Sequence, residues 1–149
     1  MRENSEILIY NFERNEKKGS ERSEGSYSTK DKISQKFLKE NAKKILRYLK
    51  KQKKSLSLVL VSSSVMKQKN HYWRKKNKTT TVLTFSEGDI FLCPEEIKKQ
   101  ALKRKISLKK FYQLLLVHSI LHLFGYTHDN SKDAKKMETL EHKLLAKIQ

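Results

Sequence analysis

Apolar residues in this chain fall into short dense runs separated by strongly polar stretches, and the period inside each run changes along the sequence. The stretch "EILIYNF", residues 6–12, gathers β-branched and aromatic residues and predicts a strand. The polar, low-complexity "ERNEKKGSERSEGSYSTKD" that follows predicts a flexible loop over 13–28. From Thr29 or Asp31, either of which can cap a helix, Ile33, Phe37, Ile45, Leu46 and Leu49 recur at helical spacing as far as Lys50. There the basic cluster "KKQKK" places cations favourably at the helix C-terminus.

"SLSLVLVS", residues 55–62, alternates and then turns wholly apolar, the pattern of a buried strand. A short link leads to two further strands, Thr79–Phe85 and Asp89–Cys93, joined by the turn "SEG". Pro94 opens a short helix to about Leu102. Ser107 caps the apolar helix "LKKFYQLLLVHSILHLF", which Gly125 terminates. Ala134, Met137, Leu140, Leu144 and Ile148 form one stripe on a closing helix. The order is strand, helix, strand, link, two strands and three helices. It predicts a single α/β domain over 1–149, a small mixed sheet of four strands covered by helices.

Composition narrows this picture. No apolar run reaches the length of a membrane span, and no apolar segment follows a basic start near Met1, so a cytoplasmic location is expected. The single cysteine, Cys93, precludes an internal disulfide and reads as a small buried residue in a reducing compartment. No repeat and no glycine-rich phosphate loop occurs. The chain carries 34 Lys and Arg against 16 Asp and Glu, a net charge of +18. Such an excess favours polyanionic partners, nucleic acid above all. A lysine-rich composition spread along the chain accounts for it equally well, so charge supports a class of partner without choosing one.

The chemistry concentrates in "HSILHLFGYTHD", residues 118–129. His118 and His122 are four apart on a helix and project from one face. Gly125 lets the chain reverse, and His128 returns toward the first two. Three neutral imidazoles meeting in this way suit Zn²⁺ and leave its fourth position open, the arrangement of catalytic rather than structural zinc. Nickel and copper suit the same donors. The bland alternative makes His118 and His122 satisfied core histidines and His128 a helix-end residue; the combined spacing, with a glycine in the right gap, favours the metal. His142 faces solvent, and His71, beside Trp73 and Arg74, is open between roles. Ser119 stands where a zincin peptidase carries its glutamate base. Serine cannot take up that proton at neutral pH, so peptide hydrolysis is disfavoured. Zinc brings a coordinated water to a pKa near ~7 without that base, and an anionic phosphodiester fits the remaining Lewis-acid chemistry.

These residues resemble the YbeY family of metal-dependent endoribonucleases, which mature ribosomal RNA. The family signature, close to H-G-x-L-H-L-x-G-[YW]-D-H, is matched here by His118-Ser-Ile-Leu-His122-Leu-Phe-Gly125-Tyr126-Thr-His128. Upstream, Asn70-His-Tyr-Trp-Arg74, Thr80–Ser86 and Gly88-Asp89-Ile90 look like its N-x-x-Y-R, T-D-V-L-S-F-P and G-D-I elements, and the closing helix with Met137, Glu138 and Glu141 also fits. The match spans residues 66 to 145; the first fifty agree only in element order. Ser119 replaces a glycine, Thr127 the aspartate before the last ligand, Thr81 an acidic or amide residue and Ser86 a proline. None is a proposed ligand, and Asp129 is a candidate for the lost aspartate's supporting role.

The resemblance implies one Zn²⁺ per chain on His118, His122 and His128, His118 thereby belonging to the catalytic set with Arg74 as the catalytic cation. It also implies precursor ribosomal RNA as substrate, at the small-subunit 3′ end, and ribosomal partners. Read from spacing alone, Arg74 would be one more solvated cation in "WRKKNK". Single-stranded RNA fits best, with Tyr72, Trp73, Lys75, Lys76 and Tyr126 as candidate RNA contacts. Two other functions share these features: a zinc-containing RNA-binding assembly factor without turnover, and a zincin-type metallopeptidase.

Overall fold

The computed structural model describes residues 6–11, 33–51 and 53–149. The loop expected over 13–28 and the candidate caps Thr29 and Asp31 lie outside the described residues. Four strands are present among those described: β1 (Ile7–Asn11), β2 (Leu56–Leu60), β3 (Val82–Phe85) and β4 (Asp89–Leu92). The helices are α1 (Gln35–Tyr48), α2 (Ser63–Arg74), α3 (Pro94–Arg104), α4 (Leu108–Leu123) and α5 (Ser131–Ile148).

The sheet runs β1-β2-β4-β3. β1, β2 and β4 are parallel, while β3 pairs antiparallel with β4 at the edge. The β3–β4 hairpin turns at Gly88, whose φ of 101° belongs to the left-handed region that a side chain resists. The sheet is therefore mixed, with four strands and helices over it, as the hydrophobic pattern predicts.

β2 decides how the layers form. Its four apolar residues are buried and lie on both faces, as a central parallel strand requires, while Ser57 is half-buried. Leu56, Leu58 and Leu60 join the main core with Ile45 and Leu46 of α1, Leu116, Ile120 and Leu121 of α4, and Met137 and Leu144 of α5. Val59, facing the other way, meets Met66, Leu83 and Cys93 in a smaller cluster beneath α2. Burial pushes the Cys93 thiol above its usual range, as expected for an inert cysteine.

α2 corrects the sequence reading, which leaves residues 63–78 as a link. Ser62 caps this helix, accepting a hydrogen bond from the Val65 amide at 3.3 Å. Only Met66 and Asn70 of its twelve residues are buried, so the helix covers the far face of the sheet with almost no apolar stripe for the sequence to display. The remaining differences are of boundary. α1 is capped by Ser34, whose hydroxyl accepts from the Phe37 amide at 3.0 Å, and the helix stops at Tyr48; β3 begins at Val82 rather than Thr79. Among the described residues no helix is long and apolar enough to cross a membrane.

Candidate metal centre

The centre is built by one helix ending and one tight reversal. Ser107 caps α4, accepting from the Lys110 amide at 3.2 Å, and the helix then buries Phe111, Leu115, Leu116, Ile120 and Leu121 along most of its circumference. His118 and His122, on its last two turns, are half-buried and share one face. At the end of α4 the Gly125 amide bonds to the His122 carbonyl and the Tyr126 amide reaches back to Leu121, both at 3.1 Å. This is the paired closure of a Schellman motif, and it requires the positive φ that Gly125 adopts at 89°. Tyr126 packs against the main core, and the chain turns so that His128 comes to lie over the other two histidines.

The three rings converge through the same nitrogen. His118 Nε2 lies 3.0 Å from His122 Nε2 and 3.4 Å from His128 Nε2. The rings of His118 and His122 stand at 82° to one another, while those of His118 and His128 are stacked at 20°. One ligand atom from each histidine falls within 4.8 Å of the others. A tetrahedral ion with Zn–N bonds of 2.0–2.1 Å needs ligand nitrogens about 3.3 Å apart, which the two close Nε2 distances bracket. Three lone pairs aimed at one point also repel unless a cation or a proton lies between them, so the donor set fits a divalent ion.

The far side of the His118 ring is held as well. The short contact of the centre, 2.6 Å, joins His118 Nδ1 to Oε1 of Glu141, which α5 carries in from 23 residues away. Burial holds the His122 imidazole below its usual range, and the neighbouring His118 and His128 lower it further; a hydrogen bond to the Tyr126 backbone and the Glu141 carboxylate work in the opposite sense. His122 therefore stays neutral, as a ligand must, to a lower pH than a free imidazole.

The structure brings His118, His122 and His128 together as predicted. Of the other candidates, Tyr126 is half-buried beside the triad, with its ring packed against the main core. Arg74 is the last residue of α2 and is exposed; among the described residues no hydrogen bond or ion pair ties it to the histidines. Tyr72 and Trp73 are 69% and 58% exposed and meet edge to face, with Trp73 in turn against Phe85 at the end of β3. Lys75 and Lys76 are exposed just beyond. His142 is exposed, as expected. Asp129, the candidate for a supporting carboxylate, is exposed and bonds to no histidine. That place is taken by Glu141. The available signal was its position on the buried stripe of α5, four residues after Met137 and three before Leu144, where an unpaired carboxylate would be costly.

A family model described as Endoribonuclease YbeY matches residues 24–149, well upstream of the motifs that carry the resemblance in the sequence. The Endoribonuclease YbeY of Phytoplasma australiense is 39% identical over 111 residues, covering 66% of this chain and 77% of that protein. The Endoribonuclease YbeY of Buchnera aphidicola subsp. Baizongia pistaciae is 36% identical over 100 residues, covering 60% of this chain and 65% of its own length. In fold, the chain is similar to the solution structure of TM1509 from Thermotoga maritima. That match has a TM-score of 0.64 at 24% identity and covers 95% of this chain and 88% of the other.

Proposed function

The chain belongs to the YbeY family of endoribonucleases, and from that premise we propose that it hydrolyses phosphodiester bonds of single-stranded precursor ribosomal RNA, at the small-subunit 3′ end, with one zinc ion held by His118, His122 and His128. The observation that carries this reading is the convergence of three Nε2 atoms, two of the separations being 3.0 and 3.4 Å, in a chain matching an endoribonuclease family over residues 24–149.

Bound at the three histidines, a divalent ion supplies Lewis acidity toward a phosphate oxygen. The chain supplies the rest. His118 keeps Nε2 toward the centre because its ring is bonded through Nδ1 to Glu141. Arg74 is assigned the grip on the scissile phosphate, where a planar guanidinium can pair with two oxygens and offset the charge that develops in the transition state. What supports this role is the likeness of Asn70-His-Tyr-Trp-Arg74 to the family's N-x-x-Y-R element. Tyr72 and Trp73 offer ring faces on which unpaired bases stack, and Lys75 and Lys76 offer phosphate contacts. Partners at the small ribosomal subunit, in the cytoplasm, follow from the same reading.

The test uses protein purified from a nuclease-deficient host. Zinc content and cleavage of a single-stranded RNA are measured for wild type, for His118→Ala, His122→Ala and His128→Ala, and for Arg74→Glu. Each histidine variant is expected to lose both the metal and the cleavage, and a chelator is expected to abolish wild-type cleavage. Arg74→Glu should keep its metal and cleave at least about a hundredfold more slowly, the loss that follows removal of one preorganised transition-state contact. Wild-type metal content in all three histidine variants would overturn the metal assignment. Chelator-resistant cleavage would overturn the hydrolytic one.

A further inference from the structure

We infer that Glu141 is a positioning residue for the metal centre, fixing the His118 ring with its proton on Nδ1 so that Nε2 is presented to the ion. The inference rests on the reading of the three histidines as ligands. Glu141 lies on α5 and His118 on α4, so this is the bond through which the closing helix reaches the centre.

Three observations support it. First, the Glu141 side chain is only 16% exposed and lies on the buried face of α5, between Met137 and Leu144. A carboxylate held there needs a strong partner, and its partner is His118 Nδ1 at 2.6 Å. An ionised carboxylate can only accept, so the ring nitrogen donates. A neutral imidazole that donates from Nδ1 has its free lone pair on Nε2. Second, that Nε2 is the atom facing His122 and His128, at 3.0 and 3.4 Å. The bond to Glu141 and the convergence of the triad thus select the same tautomer. Third, the neighbouring acids do not compete. Asp129 is exposed, and Glu138 is 72% exposed with its carboxylate 3.9 Å from His142, away from the centre. Thr127 stands where the resemblance expects an aspartate, so among the described residues Glu141 is the acid in contact with the triad. A carboxylate in this place orients the ligand ring, raises its basicity and offsets part of the dication's charge, and loss of such a partner weakens metal binding by roughly 10–100-fold.

The experiment compares full-length wild type, Glu141→Gln and Glu138→Gln by zinc competition against a chromophoric chelator, and reads the ring-nitrogen NMR signals of metal-free wild type. Glu141→Gln keeps the shape of the side chain and removes its charge. Its zinc dissociation constant is expected to rise about 10–100-fold, while that of Glu138→Gln stays within twofold of wild type. Metal-free His118 is expected to carry its proton on Nδ1. A merely structural contact between α4 and α5 would lower the melting temperature of Glu141→Gln and leave the affinity of the folded protein unchanged. That result, with tight binding by wild type, overturns this inference alone. Wild type that binds no zinc overturns the metal reading and this inference with it. Should Glu141→Gln not fold, the tautomer in wild type decides: a proton on Nε2 of metal-free His118 refutes the role.

Discussion

Ser119 follows His118, where a metallopeptidase helix carries its glutamate, and the chain encloses it completely. The side chain is fully buried, and its hydroxyl makes no hydrogen bond to the protein. A hydroxyl in that state stabilises neither the fold nor a reacting group, since a buried unpaired polar group costs roughly 1–3 kcal/mol. Alanine removes the orphan atom and is also the better helix former. Ser119→Ala is therefore expected to raise the unfolding free energy by about 1 kcal/mol, read as a higher urea midpoint at unchanged slope. It should leave metal affinity as it was. A fall in stability would mean that the hydroxyl has a partner in solution. At this scale the sequence was informative about chemistry: it identified all three converging histidines and the missing base. It assigned the supporting carboxylate to Asp129 because Asp129 is adjacent in the chain, whereas Glu141 is adjacent in space.

Among the elements, α2 most changes the sequence picture. The sequence displays a helix by burying a stripe of it, and α2 buries only Met66 and Asn70. Asn70 shows why those two suffice. Its side-chain amide donates to the Lys78 carbonyl at 2.7 Å, clamping the basic segment that leaves α2 to the helix itself. The clamp fixes the backbone on both sides of Arg74. Asn70→Ala is expected to cost roughly 0.5–1.5 kcal/mol, the net worth of one hydrogen bond, since water can reach the carbonyl of the exposed Lys78. It should also speed tryptic cleavage after Lys75, Lys76 and Lys78 in the native protein, read by mass spectrometry of brief digests. Unchanged cleavage at those sites would show that the segment is held by something else. α4 and α5 present the opposite case. Their apolar positions, the Ser107 cap and the Gly125 stop are strong local signals, and both helices appear close to where those signals put them.

Over the whole molecule, charge is distributed unevenly. No acidic residue stands between Glu40 and Glu87, while lysine and arginine recur through α1, the segment before β2, α2 and the chain beyond it. The exposed Tyr72 and Trp73 belong to this stretch. Binding of single-stranded RNA should therefore fall steeply with salt, by a logarithmic slope of about −0.7 for each phosphate contact. For roughly four such contacts, raising the salt from 50 to 200 mM weakens binding about 50-fold. Fluorescence anisotropy with a labelled oligonucleotide measures this. A flat dependence would assign the lysines to composition rather than to recognition.

Strands, the capped apolar helix, the closing helix and the three histidines that converge were all legible in the sequence. Each of these rests on residues close together along the chain: alternation, i and i+4 spacing, a cap, a glycine that reverses the backbone. Packing between elements settles which carboxylate meets His118, that a nearly stripeless stretch folds as α2 over the far face of the sheet, and that Ser119 is enclosed. Those outcomes depend on how α5 docks on α4 and on what the second face of the sheet leaves uncovered. They are set by contacts between residues distant in sequence, which no local pattern encodes.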